Sequence, residues 1–366
     1  MKVLIFTIKF GSGHFRASKS LCKQIRNEFE TSEVIVKDIC EYLLPHNYQK
    51  IYNAYHLLVN KGSKLYNILY KYSEKTFDGT PSYPHLLLKK VDKLIASEQP
   101  DVVISTCSVS SQLFSAYKEK YKSNLPFITC ITDISSHPSW ITPQTNFYLV
   151  GTELVKQGLM DKGVDEKDIY ISGIPVEEEF VPSSSRNERV HKNLLIMGGG
   201  LGMLPEDLSF YQEINDLSGV KTVIIAGRNQ RLFDQLNGKF NNITVVGYTD
   251  KVYEYMHEAD LIITKPGGMT LFESIISEVP IVVLRPELEQ ERKNQSFIEK
   301  THIGYVLEEE EDRYIMDIDD LIHDDMTLSK MKMNMAEVKK GFDRRKVIEL
   351  LSSIEAKKGE AEASSS

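Results

Sequence analysis

The chain has 366 residues, 41% of them hydrophobic and 26% charged, with a formal net charge of −8. That length predicts two domains of ordinary size, and the acidic balance excludes a dedicated nucleic-acid binder, which carries a basic face. The four cysteines (Cys22, Cys40, Cys107, Cys130) form no CxxC pair, so neither a metal knuckle nor a disulfide framework is expected, and a reducing cytoplasm fits.

The chain opens with MKVLIFTIKFGSGH. Gly11 and Gly13 follow the apolar run at once, so Val3–Ile8 reads as a first strand and not as a leader. A helix over about Phe15–Glu30 follows, then strands at Glu33–Val36, Val102–Ser105, Phe127–Ile131 and Phe147–Val150. Between them, Tyr42–Tyr83 is packed with Tyr and Leu and interleaved with Lys. At helical spacing it carries two apolar stripes: Tyr48, Ile51, Tyr52, Tyr55, Leu58 and Val59, then Leu65, Ile68, Leu69 and Tyr72. Such stripes suit either two helices packed on a core or an aromatic and basic surface for a lipid interface. The second half repeats the pattern, with strands at Asn193–Met197, Lys221–Ala226, Thr244–Val246, Leu261–Thr264 and Ile281–Leu284. Strands alternating with helices predict an α/β protein of two doubly wound, Rossmann-like parallel-sheet domains. The expected domains are residues 1–175 and 190–340, joined by a Pro-, Ser- and Glu-rich linker at 176–189. Residues 341–366 form a helix and a disordered tail, KKGEAEASSS. Glu308–Asp312 reads as a solvated turn. No apolar stretch reaches the roughly 20 residues of a membrane span.

Three glycine loops follow strands. In Gly11-Ser12-Gly13-His14, glycines let the backbone turn tightly at a helix start that favours negative charge. A dinucleotide fingerprint requires a third glycine where Arg16 stands, although Asp38 near the end of the second strand fits one. His14 would sit outside the carboxyl end of strand one, either capping the helix or acting as a general base. Gly198-Gly199-Gly200-Leu201-Gly202 offers backbone N–H groups to phosphate. Thr264-Lys265-Pro266-Gly267-Gly268-Met269-Thr270 ends a strand and starts a helix whose N–H groups can hold a diphosphate, with Glu273 a turn further on. Gln290 and Asn294 are four apart, on one helical face suited to sugar hydroxyls. Arg228 is either a surface arginine or a cation near the phosphates.

With these residues in view, the chain resembles the family 28 type of glycosyltransferase, the group of monogalactosyldiacylglycerol synthases and processive diacylglycerol glucosyltransferases. The N-terminal pattern GxGHxxA is matched by Gly11, Gly13, His14 and Ala17, and Thr132–Trp140 (TDISSHPSW) resembles the glycolipid-synthase pattern TD…HxxW. TKPGGMTLFE and the segment LEQERKN carry the likeness in the second half. LEQERKN keeps Gln290, Glu291 and Asn294 but lacks the Pro-Gly and second acid of the family's run. The resemblance implies a GT-B fold with its domains facing a cleft, and transfer of a hexose from UDP-glucose or UDP-galactose to a lipid hydroxyl with inversion. Diacylglycerol is the expected acceptor, with no essential metal and no cofactor besides the donor. It makes His14 and Asp133 the candidate bases. The donor set becomes Gly13, Gly199, Gly200, Arg228, Gly247, Tyr248, Gly267, Gly268, Met269, Thr270, Glu273, Gln290, Glu291 and Asn294. The acceptor set becomes Tyr52, Tyr55, His137 and Trp140. A cytoplasmic protein lying peripherally on the inner membrane face is expected. Three other readings stay open: transfer to a polyprenyl-linked or apolar natural-product acceptor, a UDP-sugar 2-epimerase, and a non-catalytic UDP-sugar sensor.

Overall fold

The computed structural model describes residues 1–10, 12–76, 81–182, 190–307 and 313–365. Gly11, residues 183–189 of the expected linker and the run Glu308–Asp312 lie outside the described residues. The chain forms two units, Met1–Glu177 with Gly341–Ser366, and Glu178–Lys340.

The first unit runs β1 (Lys2–Thr7), α1 (Ser12–Glu28), β2 (Glu33–Asp38), α2 (Ile39–Leu43), α3 (Tyr48–Lys61), α4 (Ser63–Thr76), α5 (His85–Glu98), β3 (Val102–Ser105), α6 (Ser108–Tyr121), β4 (Phe127–Cys130), β5 (Phe147–Val150), α7 (Glu153–Met160) and β6 (Ile169–Ile171). Its strands pair in parallel in the order β2-β1-β3-β4-β5-β6. β1 and β3 are continuous apolar runs because helices cover both faces of a parallel sheet. The order reverses between β1 and β3, and such a switch point opens a crevice beyond the carboxyl ends of the strands.

The second unit runs β7 (Lys192–Met197), α8 (Leu208–Asn215), β8 (Val220–Ile225), α9 (Gln230–Leu236), β9 (Ile243–Val246), α10 (Val252–Glu258), β10 (Leu261–Thr264), α11 (Gly268–Ser277), β11 (Ile281–Val283), α12 (Glu289–Thr301), β12 (Gly304–Val306), α13 (Tyr314–His323) and α14 (Asp325–Lys340). The order β12-β11-β10-β7-β8-β9 is that of the dinucleotide-binding folds, with its switch point between β7 and β10. The two glycine loops singled out in the second half therefore leave adjacent strands at that switch point. All ten residues of α11 are buried.

The chain then returns to the first unit as α15 (Lys346–Ser365). Its Val347, Leu350, Leu351 and Ile354 join Val3, Ile5, Leu21, Ile25 and Leu149 in one core cluster. The expected disordered tail is corrected here. KKGEAEASS extends a helix already nucleated by that packing, and its Lys, Glu and Ala favour propagation. The short edge strands β6 and β12, absent from the sequence reading, have three residues each.

The Tyr-rich segment forms the hairpin α3–α4, and its two stripes part company. On α3, Tyr52 and Val59 are buried in the core. On α4 no residue is buried, and Leu65, Ile68, Leu69 and Tyr72 are 54%, 64%, 51% and 67% exposed. What holds α4 is a line of ring contacts on its other face: Tyr55–Tyr66 at 6.5 Å, Tyr66–Tyr70 at 6.2 Å and Tyr70–His137 at 4.4 Å between centroids. Among the described residues, no helix is long and apolar enough to cross a membrane.

Candidate active site

In the first unit the switch-point loops bring both candidate bases together. His14 lies in the first turn of α1, half-buried, with Nδ1 2.7 Å from Thr132 Oγ1, just past β4. The Thr106 hydroxyl, just past β3, lies 3.1 Å from the His14 carbonyl and 3.0 Å from Thr7 Oγ1. Residues at the ends of three parallel strands thus hold His14, its backbone through Thr106 and its imidazole through Thr132. Burial pushes the His14 pKa below its ordinary value, while the charge of Asp133 pulls it upward. Asp133 follows Thr132 directly, and the Trp140 indole N–H donates to its Oδ2 at 3.0 Å. The His14 and Trp140 rings meet edge to face at 6.0 Å between centroids.

Three of the residues expected at the acceptor are buried and hydrogen-bonded within the first unit. Trp140 is buried and its polar edge is spent on Asp133. His137 is buried, with Nδ1 2.7 Å from Ser139 Oγ and Nε2 3.3 Å from Ser73 Oγ, so it ties the Asp133 loop to α4. Tyr52 is buried with its hydroxyl 2.7 and 2.6 Å from the two carboxylate oxygens of Asp38. That carboxylate also accepts the Cys40 and Glu41 N–H groups that start α2, so its place near the end of β2 reflects a cap and not a ribose ligand. Tyr55 alone of the four stays half-buried, stacked on Phe10 at 4.7 Å, and burial raises its hydroxyl pKa.

In the second unit the loops after β7 and β8 interlock. Gly202 has φ +65°, and a Cβ there would stand 1.9 Å from the Ala226 carbonyl oxygen, so only glycine fits. Asn229 donates its amide to the Gly202 carbonyl at 3.0 Å while its own oxygen caps α9, and Arg228 N–H reaches Gly200 O at 3.2 Å. Gly199 also has a positive φ, of 68°. The Arg228 side chain is exposed, with its guanidinium 5.1 Å from the centre of the Tyr248 ring, next to Gly247 beyond β9. After β10, Gly267 precedes α11 and leaves Gly268, Met269 and Thr270 in the first turn. Glu273, one turn on, is fully buried.

Two residues assigned to the sugar are otherwise engaged. The Glu291 carboxylate accepts the Glu287 and Leu288 N–H groups at 3.1 and 3.2 Å, which caps α12. Asn294, expected at the sugar hydroxyls, is 1% exposed and donates its Nδ2 to the Pro266 carbonyl at 2.7 Å. Gln290, on the first turn of α12, stays half-buried. The sequence reading missed Thr106 and Thr132, which orient His14, and Asn229, which locks a glycine loop. Thr132 stood in the TD…HxxW pattern with no role given to it, and for Thr106 and Asn229 the signal was position, just past a strand end.

Two family models match the chain. That for monogalactosyldiacylglycerol (MGDG) synthase covers residues 14–176, and the glycosyltransferase family 28 C-terminal domain covers residues 194–350. The chain is a glycosyltransferase of the family 28 type. It is 29% identical to a processive diacylglycerol beta-glucosyltransferase of Bacillus pumilus, over 91% of this chain and 90% of the relative. It is 28% identical to the enzyme of that name from Staphylococcus carnosus, over 92% and 89%. The crystal structure of MurG from Acinetobacter baumannii superposes with a TM-score of 0.62 at 12% identity, over 97% of this chain and 99% of that one. The fold of this glycosyltransferase is accordingly GT-B.

Proposed function

We propose that this glycosyltransferase moves a hexose from a UDP-sugar to the hydroxyl of a lipid acceptor, diacylglycerol in the first instance, with inversion at the anomeric carbon. The matched family and its relatives, named for diacylglycerol glycosylation, support the acceptor class. The observation that carries the chemistry is His14. In the tautomer assigned to it in this reading, Nδ1 donates to Thr132 Oγ1 at 2.7 Å and Nε2 carries the lone pair. A lowered pKa keeps that lone pair free at neutral pH.

In this reading the acceptor oxygen attacks C1 of the sugar, and the bond from C1 to the diphosphate oxygen breaks. The acceptor proton passes to His14 Nε2, or to Asp133 in its place. The transition state has oxocarbenium character. Charge develops on the departing UDP, where the N–H groups opening α11 and the Gly198–Gly202 loop stabilise it, with Arg228 nearby. No divalent metal is required in this scheme, because fixed dipoles supply the counter-charge.

The outer face of α4 suits the membrane side of the proposal. Leu65, Ile68, Leu69 and Tyr72 form an open aliphatic and aromatic row, bordered by exposed Lys64, Lys71 and Lys75. Apolar side chains between lysines match an anionic bilayer surface, here the inner face of the membrane.

The test is a product assay. Purified protein receives radiolabelled UDP-glucose or UDP-galactose, with and without diacylglycerol in anionic micelles, and the lipid phase is counted. Label in the lipid phase that persists in EDTA is expected. Measurable UDP binding with no transfer from either donor refutes the proposal.

A further inference from the structure

The peptide unit that introduces α11 is held at both ends. Its N–H, from Gly267, donates to the Lys265 carbonyl at 2.8 Å, and its C=O, from Pro266, accepts from Asn294 Nδ2 at 2.7 Å. The second bond comes from α12, a separate helix 28 residues further along the chain. Asn294 is almost wholly buried, and its Oδ1 has no partner among the described residues. A carbonyl can only accept, so the amide orientation is unambiguous and rests on this one bond.

The plane of that peptide sets the direction of the next N–H groups, those of Gly268, Met269 and Thr270. These groups have no intrahelical partner, being the first of their helix. Their value to a phosphate group depends on pointing correctly before it arrives. From the Pro266 contact and the burial of its side chain, we infer that Asn294 is a positioning residue which fixes the start of α11 for a nucleotide diphosphate, and that it does not contact the transferred sugar. This rests on the UDP-sugar reading above.

The two roles separate experimentally, because UDP has the diphosphate but no sugar. Asn294→Asp keeps the volume and turns the donor into an acceptor facing the Pro266 carbonyl. Calorimetry should show affinity for UDP and for UDP-glucose falling by the same factor, about 10-fold or more. A sugar contact would weaken UDP-glucose and leave UDP at the wild-type value, and that result overturns the inference. Hydrogen exchange of the unliganded protein reads the pin directly. The peptide spanning 265–272 should exchange faster in the variant, while β7 and β8 stay protected. Unchanged exchange there also overturns it. Asn294→Ala removes the donor without burying a charge, and should give the same equal losses if the aspartate variant does not fold. Wild-type protein that binds neither ligand would refute the donor reading, while the exchange arm still decides whether Asn294 pins the loop.

Discussion

Replacing His14 by glutamine tests the proposed base with little disturbance. Glutamine can keep a hydrogen bond to Thr132 Oγ1 and fills most of the same volume, but it cannot take a proton near neutral pH. General bases contribute roughly 10²- to 10⁴-fold. Asp133 remains nearby, anchored on Trp140 at 3.0 Å, and can still accept some proton density. The expected loss is therefore near the lower end, about 100-fold in kcat, or about 2.7 kcal/mol of transition-state stabilisation. The pH profile sharpens the test. Burial holds the His14 pKa below its ordinary 6.5, so wild-type kcat/KM should be level at neutral pH and fall only below that value. The glutamine variant should lose this acid limb. Asp133→Asn should keep the limb but move it to still lower pH, because the Asp133 charge is what raises the His14 pKa. Steady-state rates from pH 5 to 9, with UDP affinity measured alongside, supply the data. A glutamine variant with near-normal turnover, or one that retains the limb, removes His14 from the chemistry.

Three further outcomes follow from the geometry. Changing Leu65, Ile68 and Leu69 together to serine should weaken binding to anionic vesicles on the order of 100-fold, with folding unchanged; equal vesicle binding in a sedimentation assay would count against α4 as the docking face. Gly202→Ala should destabilise the protein by at least about 3 kcal/mol through its clash with Ala226, whereas Gly219→Ala, at a similar φ of 68° with nothing within 4 Å, should cost only about 1–2 kcal/mol; equal urea midpoints would refute the distinction. Lys118 is buried against the Gln144 carbonyl and Asn146 Oδ1, and burial lowers its pKa from 10.5 to about 8. Between those values the unfolded chain binds more protons than the folded one, so stability should rise with pH there. The gain relative to Lys118→Met is on the order of 2–3 kcal/mol, read from urea titrations at pH 7 and 10. A constant difference would show no such linkage.

The long core strands were legible because a parallel sheet buries both faces, and runs such as VLIF in β1 advertise that directly. The edge strands β6 and β12 were not read from the sequence. Glycine loops revealed where the site lies, because tight turns at strand ends restrict residue type. Side-chain roles within the site were less readable. Asn294 looks like a sugar ligand from its spacing to Gln290, and Glu291 from the resemblance, but Asn294 donates to the Pro266 carbonyl ahead of α11 and Glu291 accepts the backbone N–H groups that open α12. Tyr52 carries an aromatic face and a polar tip in any context, and only the fold reveals that Asp38 holds the tip. The α4 stripe showed the reverse. A periodic apolar row predicts a buried face, but which rows find a partner is decided by the rest of the chain.

The return of α15 to the first unit has a consequence for how the protein is made. Val347, Leu350 and Leu351 close a core that includes Val3 and Ile5, so that core stays unfinished until nearly the whole chain has left the ribosome. The 163 residues of the second unit emerge in between and can fold first as an uninterrupted segment. At about 5–20 residues per second, β1 waits roughly 17 to 70 seconds for its last covering helix. During that interval a strip of apolar surface on the N-terminal half is open to chaperones. A nascent chain stalled before residue 346 lacks the piece that would shield it.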